Sequence, residues 1–218
     1  MSEHCDFSVK FWGVRGSISI SDPNSVRYGG NTSCLEIRCD DRLLIFDAGS
    51  GLRYLGNDLV ERGDVIDADI FLTHTHYDHI CGIPFFKPFF NPQNRFRLQA
   101  GHLLPEKNLR GVLCDLMTSP LFPVPIEIFQ SKIEFHDFIV GDSLNTGSDV
   151  VVRTASLNHP DGATGYRIEF GGRSICYLTD TEHVAGELDQ TILRLIDGAD
   201  IVIYDSMFTE EEYANCVG

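Results

Sequence analysis

A chain of 218 residues, 43% hydrophobic and 22% charged, has ordinary globular composition with room for one sizeable core, and is read as a single domain over 1–218. Its 17 Lys and Arg against 32 Asp and Glu leave a net charge of -15, which opposes a broad electrostatic footprint on nucleic acid or an anionic membrane. Seven cysteines without a C-x-x-C pair fit neither a disulfide framework nor a zinc knuckle. MSEHCDFSVKFWG carries no signal-peptide pattern, and GIPFFKPFF, broken by Lys87 and Pro88, is too short to span a bilayer, so the expected location is cytoplasmic.

In chain order, FSVKFW (7–12) predicts the first strand. CLEIR (34–38) and LLIF (43–46) predict two more, with a hairpin turn at Cys39-Asp40-Asp41-Arg42. LRYLGNDLVER (52–62), after Gly49-Ser50-Gly51, reads as a helix, and DIFLT (69–73) as a buried strand. LLPEKNLRGVLCDLM (103–117) has apolar residues at helical spacing, and SPLFPVPIE (119–127), with three prolines, reads as a surface excursion near the site. Strands follow at KIEFHDF (132–138), VVVRTAS (150–156), GYRIEF (165–170) and SICYL (174–178), the last two joined through Gly171-Gly172. ELDQTILRLID (187–197) reads as a helix ending before Gly198, and ADIVIY (199–204) as the last strand. The order predicts an α/β domain of packed sheets with helices outside.

The heptapeptide Thr73-His74-Thr75-His76-Tyr77-Asp78-His79 crowds three imidazoles and a carboxylate behind DIFLT. In extended backbone His74 and His76 point to the same side, and a turn into ICGIPFF brings Asp78 and His79 back beside them. One catalytic metal needs three protein ligands and an open position, so four ligands in seven residues point to two metals. A metal-free cluster would bury polarity at about 1–3 kcal/mol per unsatisfied group. Further ligands are expected at other strand ends: His159 past VVVRTASLN, and Asp180 past SICYLT as a carboxylate bridging two ions. Asp47, at the end of LLIFD, is assigned to orienting a ligand imidazole, with a turn or capping role as its alternative. His4, His102 and His136 lack partner spacing and read as core or surface residues. Between Pro84 and Arg110 five bases (Lys87, Arg95, Arg97, Lys107, Arg110) face one acid, Glu106, a local charge of +4 that offers an anion a landing place or is simply a solvated face.

The heptapeptide resembles the H-x-H-x-D-H signature of the metallo-β-lactamase superfamily. Phe46-Asp47-Ala48-Gly49, Leu157-Asn158-His159-Pro160 and Leu178-Thr179-Asp180-Thr181 match in order, and the resemblance covers nearly the whole chain. It implies an αββα four-layer sandwich. It also implies a dinuclear site in which His74, His76 and His159 hold one metal, Asp78 and His79 the other, and Asp180 bridges. The cofactors expected are two divalent ions, zinc first, with manganese and iron as alternatives. FWGVRGSIS, RYGGNTSCLEIR and GATGYRIEF resemble the phosphodiesterase branch that includes transfer-RNA 3′-end nucleases and cyclic-nucleotide phosphodiesterases. Members of the family usually place another histidine past a segment like Tyr204-Asp205-Ser206-Met207. Here the last histidine is His183: the chain is expected to stop short of that ligand at Gly218, with substitution by His183 or a weakly held second metal as the alternatives, and His183 is then a candidate proton donor or a surface residue.

Two divalent ions about 3.5–4 Å apart generate hydroxide from water near neutral pH and offset phosphoryl charge. The expected reaction is therefore hydrolysis of a phosphodiester, with Asp78 also orienting the nucleophile and Arg15, Arg27 and Asn31 holding the substrate. A small cyclic or dinucleotide substrate is preferred over a polynucleotide. The alternatives are an endonuclease acting on transfer RNA or another RNA, and a metal-binding sensor or output module without catalysis. His76 argues against a diiron redox protein. No membrane partner is expected, and the sequence leaves a homodimer open.

Overall fold

The computed structural model of the protein describes residues 6–147, 149–184, 186–206 and 211. The expectations placed on His4, Met207 and the C-terminal end of the chain lie outside the described residues. Two compact units divide between Phe138 and Ile139.

The first unit is built on a six-stranded sheet in the order β1 (Phe7–Gly13), β2 (Cys34–Cys39), β3 (Arg42–Phe46), β4 (Asp67–Leu72), β5 (Arg95–Ala100), β6 (Lys132–Asp137). The first three strands are antiparallel, and β3 to β6 run parallel. The β2–β3 turn is the predicted hairpin, tight enough to hold Asp40 at φ 50, a left-handed conformation that Asp tolerates better than most side chains. Parallel pairs need crossovers. α1 (Gly51–Arg62) supplies the one from β3 to β4 and ends on Gly63 at φ 79. A single helical turn, α2 (Tyr77–Ile80), follows β4, and α3 (Leu109–Leu116) follows β5. Leu52, Leu55 and Leu59 of α1 join Leu43, Ile45, Ile70, Phe96 and Leu98 in one core cluster. Phe86, Phe89 and Phe96 pack edge-to-face in it, with centroids 4.8–5.5 Å apart, each ring contributing roughly 1.5–3 kcal/mol by its burial.

Two corrections belong to this unit. β5 has no counterpart among the predicted strands, because Arg95, Arg97 and Gln99 interleave with buried Phe96, Leu98 and Ala100 and leave no apolar run. The helix expected over 103–117 starts only at Leu109, where Asn108 leaves the helical region and its side chain accepts from the Gly111 amide.

The second unit holds a five-stranded sheet in the order β11-β10-β9-β8-β7, from β7 (Ser143–Asn145), β8 (Val151–Leu157), β9 (Ala163–Phe170), β10 (Arg173–Leu178) and β11 (Ile201–Tyr204). All pairs are antiparallel except β10 and β11, which are joined through α4 (Gln190–Ile196). α4 starts three residues later than expected, since Asp189 caps it by accepting from the Thr191 and Ile192 amides. Ile192 and Leu195 pack on Ala155, Leu157, Ala163, Cys176 and Leu178. The three-residue β7 was also missed. Among the described residues, no helix is long and apolar enough to cross a membrane.

Candidate metal centre

β3 and β4 run parallel with Phe46 opposite Phe71, so both strands end at one edge of the first sheet. That edge, the carboxyl ends of parallel strands, is where open α/β sheets present polar residues to ligands. Asp47 leaves β3 there at φ 59, fully buried. Its carboxylate accepts the Thr73 amide at 2.8 Å and the Thr73 hydroxyl at 2.9 Å, and lies 2.9 Å from Nδ1 of His79. An ionised carboxylate only accepts, so His79 carries its proton on Nδ1 and turns a lone pair outward on Nε2. The single Thr73 hydroxyl proton goes to Asp47, so Oγ1 accepts from Nδ1 of His74 at 3.1 Å, and His74 too presents an unprotonated Nε2. Two imidazoles are thus set in the tautomer a cation requires.

His74 lies at the centre of the histidines. Its ring centroid is 4.5 Å from His76 and 4.2 Å from His79, and its ligand nitrogen falls within 4.8 Å of theirs. The expected same-side pairing of His74 and His76 is what the chain adopts, because His76 stays extended (φ -61, ψ 153) before α2 begins. α2 then supplies the turn that brings Asp78 and His79 back. Asp78 Oδ2 accepts the Ser17 amide at 2.7 Å and lies 3.5 Å from His79 Nε2. Two glycines let this turn approach the segment after β3. A Cβ on Gly49 would meet the Asp78 carbonyl, and one on Gly82 would meet the Gly49 carbonyl. The resulting contact is sealed by Ala48 N donating to His79 O at 2.7 Å and Gly82 N to Ala48 O at 2.8 Å.

Burial, then the charges of Asp47 and Glu36, push the neighbouring Cys34 thiol well up, and burial above all raises Cys81.

Three partners of the cluster went unread in the sequence. Thr73 ends an apolar strand, and Ser17, in a loop held at φ 66, is distant in sequence from Asp78. His102, read as a core or surface residue, has Nε2 3.1 Å from the Thr75 hydroxyl and its ring 6.5 Å from His74. The missed strand explains the missed histidine. β5 pairs with β4 in parallel, Leu72 opposite Ala100, which delivers His102 to the same edge as Thr75. His136 is exposed beside Glu134, as expected of a surface residue.

Of the residues assigned to substrate, Arg15 and Arg27 are exposed in the loop between β1 and β2, Arg27 lying 5.1 Å over the Tyr28 ring. Asn31 is half-buried, with its amide 3.5 Å from Trp12 O and its Oδ1 receiving the Ser50 hydroxyl at 3.4 Å. The +4 segment is not a free cationic surface. Arg97 is bound by Asp67 and Asp69, Arg95 by Glu134 and Arg110 by Glu127, acids that come from outside the segment.

In the second unit, β8 and β10 both oppose β9 and so end at one edge. His159 follows β8 and Asp180 follows β10, both half-buried, with Asp180 at φ 53 and its Oδ2 accepting the Thr179 hydroxyl at 2.7 Å. Their loops are laced together by Glu182 N to Asn158 O at 2.7 Å and Asn158 Nδ2 to Glu182 O at 3.1 Å. His183 is exposed, with Nε2 3.2 Å from the Tyr204 hydroxyl.

The family model of the beta-lactamase superfamily domain matches residues 42–215. Ribonuclease Z of Haloarcula marismortui is 28% identical over 166 residues, 74% of this chain and 47% of that protein, so the chain spans about half the length of this relative. Human tRNase Z, short form, matches with a TM-score of 0.66 at 18% identity, over 95% of this chain and 81% of that one. A diphosphatase from the PhnP family matches with a TM-score of 0.60 at 19% identity, over 89% and 71%. At these identities the structural likeness carries the fold alone. The mixed α/β chain, with its two sheets and few helices, has the metallo-β-lactamase fold.

Proposed function

For a chain that belongs to the beta-lactamase superfamily, matched over residues 42–215, we propose the role of a metal-dependent hydrolase acting on a phosphodiester, with a small cyclic or dinucleotide substrate. The observation that carries this reading is the buried Asp47 carboxylate. Through Thr73 and directly, it sets His74 and His79 with Nε2 unprotonated. A structural histidine needs no such preparation. The donor set of imidazole nitrogens and carboxylate oxygens suits zinc, and also manganese or iron.

In the assignment that the resemblance implies, His74, His76 and His159 would hold one ion and Asp78 and His79 the other, with Asp180 serving both. When bound, two such cations lower the pKa of water toward roughly 7 and offset the charge of a phosphoryl group. The protein's own residues do the rest. Asp47 and Thr73 keep the imidazoles oriented, and the Ser17 amide holds the Asp78 carboxylate, which also orients the attacking water. Arg15 and Arg27 attract the anionic diester. Asn31, half-buried beside the Ser50 hydroxyl, is the third candidate to hold it. His183 is the candidate that hands a proton to the leaving oxygen. In the cytoplasm the thiols of Cys34, Cys81, Cys114 and Cys176 would remain reduced.

The pairing of Arg95, Arg97 and Arg110 with carboxylates, on a chain of net charge -15, favours a small substrate over a polynucleotide. The likeness to ribonuclease Z keeps an RNA endonuclease as the second reading. Metal analysis of the purified protein, with turnover of bis(p-nitrophenyl) phosphate, a cyclic nucleotide and a precursor transfer RNA at low and moderate salt, decides between them. Two ions per chain and weakly salt-dependent cleavage of the small diesters are expected. Transfer-RNA cleavage that falls steeply with salt would establish the endonuclease instead, and one ion without turnover would leave a sensor module.

A further inference from the structure

We propose that Tyr204 is a positioning residue for His183, occupying Nε2 of the imidazole so that Nδ1 is the atom that delivers the proton to the leaving oxygen. The inference rests on the hydrolase reading above.

Tyr204 closes β11, and its register opposite Leu178 sets it beside the end of β10, two residues before Asp180. The Asp205 amide donates to the Leu178 carbonyl at 2.9 Å and holds this strand end in place. His183 comes three residues after Asp180, on an exposed segment where a lone imidazole would sample its rotamers freely. It does not stand alone. Its ring lies parallel to the Tyr204 ring, at an interplanar angle of 3° and a centroid separation of 5.9 Å, with the phenol oxygen 3.2 Å from Nε2. Burial, followed by the nearby charges of Asp189 and Asp205, raises the Tyr204 phenol, so the oxygen facing His183 stays a neutral hydroxyl. In the imidazolium both ring nitrogens carry protons, so the phenol oxygen accepts from Nε2–H and Nδ1–H is left to face the leaving oxygen.

The proton balance follows from that arrangement. As the bond from phosphorus to the leaving oxygen breaks, its electron pair stays on that oxygen, which takes the Nδ1 proton of the imidazolium. The new bond to phosphorus comes from the attacking water oxygen, whose proton passes to solvent. The imidazole is left neutral with Nε2–H still donated to Tyr204, and recovers its Nδ1 proton from solvent.

Tyr204→Phe keeps the ring and removes the hydroxyl. The expected kcat loss on a diester with an alkoxide leaving group, such as a cyclic nucleotide, is about tenfold at unchanged KM. A good leaving group needs no acid, so that loss should be several times larger than the loss on bis(p-nitrophenyl) phosphate. His183→Gln should show the same contrast with a larger loss, roughly a hundredfold. Nitrogen NMR of the His183 ring should find the neutral form as the Nε2–H tautomer in the wild type and a mixture in Tyr204→Phe, whether or not the enzyme turns over. Equal losses on both leaving groups, or an unchanged tautomer, overturn the role of Tyr204 and leave the hydrolase reading standing. A wild type that cleaves no diester overturns the hydrolase reading, and the NMR comparison still judges the pair.

Discussion

Asp47 shows how much one carboxylate can organise. It is fully buried, sits at φ 59 and makes three contacts with Thr73 and one with His79. Left-handed backbone at a non-glycine residue costs free energy that a purely structural turn could avoid by using glycine. Here the side chain is what the position needs. Asp47→Asn keeps the shape and tolerates the same φ, but its amide cannot demand the Nδ1 proton of His79 as a carboxylate does. Metal affinity and activity are therefore expected to fall about 10- to 100-fold, measured by metal titration, while the fold survives. Unchanged zinc affinity would remove Asp47 from the site. The assignment was legible in the sequence because Asp47 ends an apolar strand just ahead of Gly49-Ser50-Gly51. His102 was not, since its place depends on a neighbouring strand rather than on its own flanks.

At the scale of elements, the site depends on where strands end and on how closely two loops approach. Asp47 follows β3, His74 follows β4 and His102 follows β5, and parallel pairing alone brings these three ends to one edge. The one-turn helix α2 then packs on the segment after β3 through Gly49 and Gly82. Because the Cβ of an alanine at 82 would strike backbone rather than a yielding side chain, Gly82→Ala is expected to destabilise the protein by about 1–3 kcal/mol. It should also weaken metal binding by displacing Asp78 and His79. Chemical denaturation and metal titration of the variant check both, and wild-type values for the two would show that the loops do not need this approach. The polar-interleaved β5 and the three-residue β7 escaped the sequence reading for a related reason. Both draw their order from the strands beside them.

For the whole molecule, a net charge of -15 sets the problem that cations would solve. Carboxylates and imidazoles at strand ends raise local polarity and negative charge, and bound divalent ions would offset it. Zinc at a hundredfold excess over its dissociation constant is expected to stabilise the protein by about 2.7 kcal/mol. For a chain of this size that corresponds to roughly 5–10 °C in Tm, lost again on chelation. Thermal melts with added zinc and with chelator measure it, and coincident melts would argue that the cluster holds no metal.

The sequence by itself determined the strands of continuous apolar character, the β2–β3 and β9–β10 turns, and the heptapeptide that marks the site. Each of these is set by short-range preferences: β-branched runs, turn residues, and ligand types crowded into seven positions. Only the tertiary structure decided which residues contact those side chains. Ser17 reaches Asp78 across 61 positions, and His102 reaches Thr75 through a strand whose polar face hid it. Arg95, Arg97 and Arg110 lost their apparent cationic surface to acids on other segments. Hydrogen bonds and ion pairs between segments far apart in the chain exist only once strand pairing has fixed their separation, so no local pattern announces them.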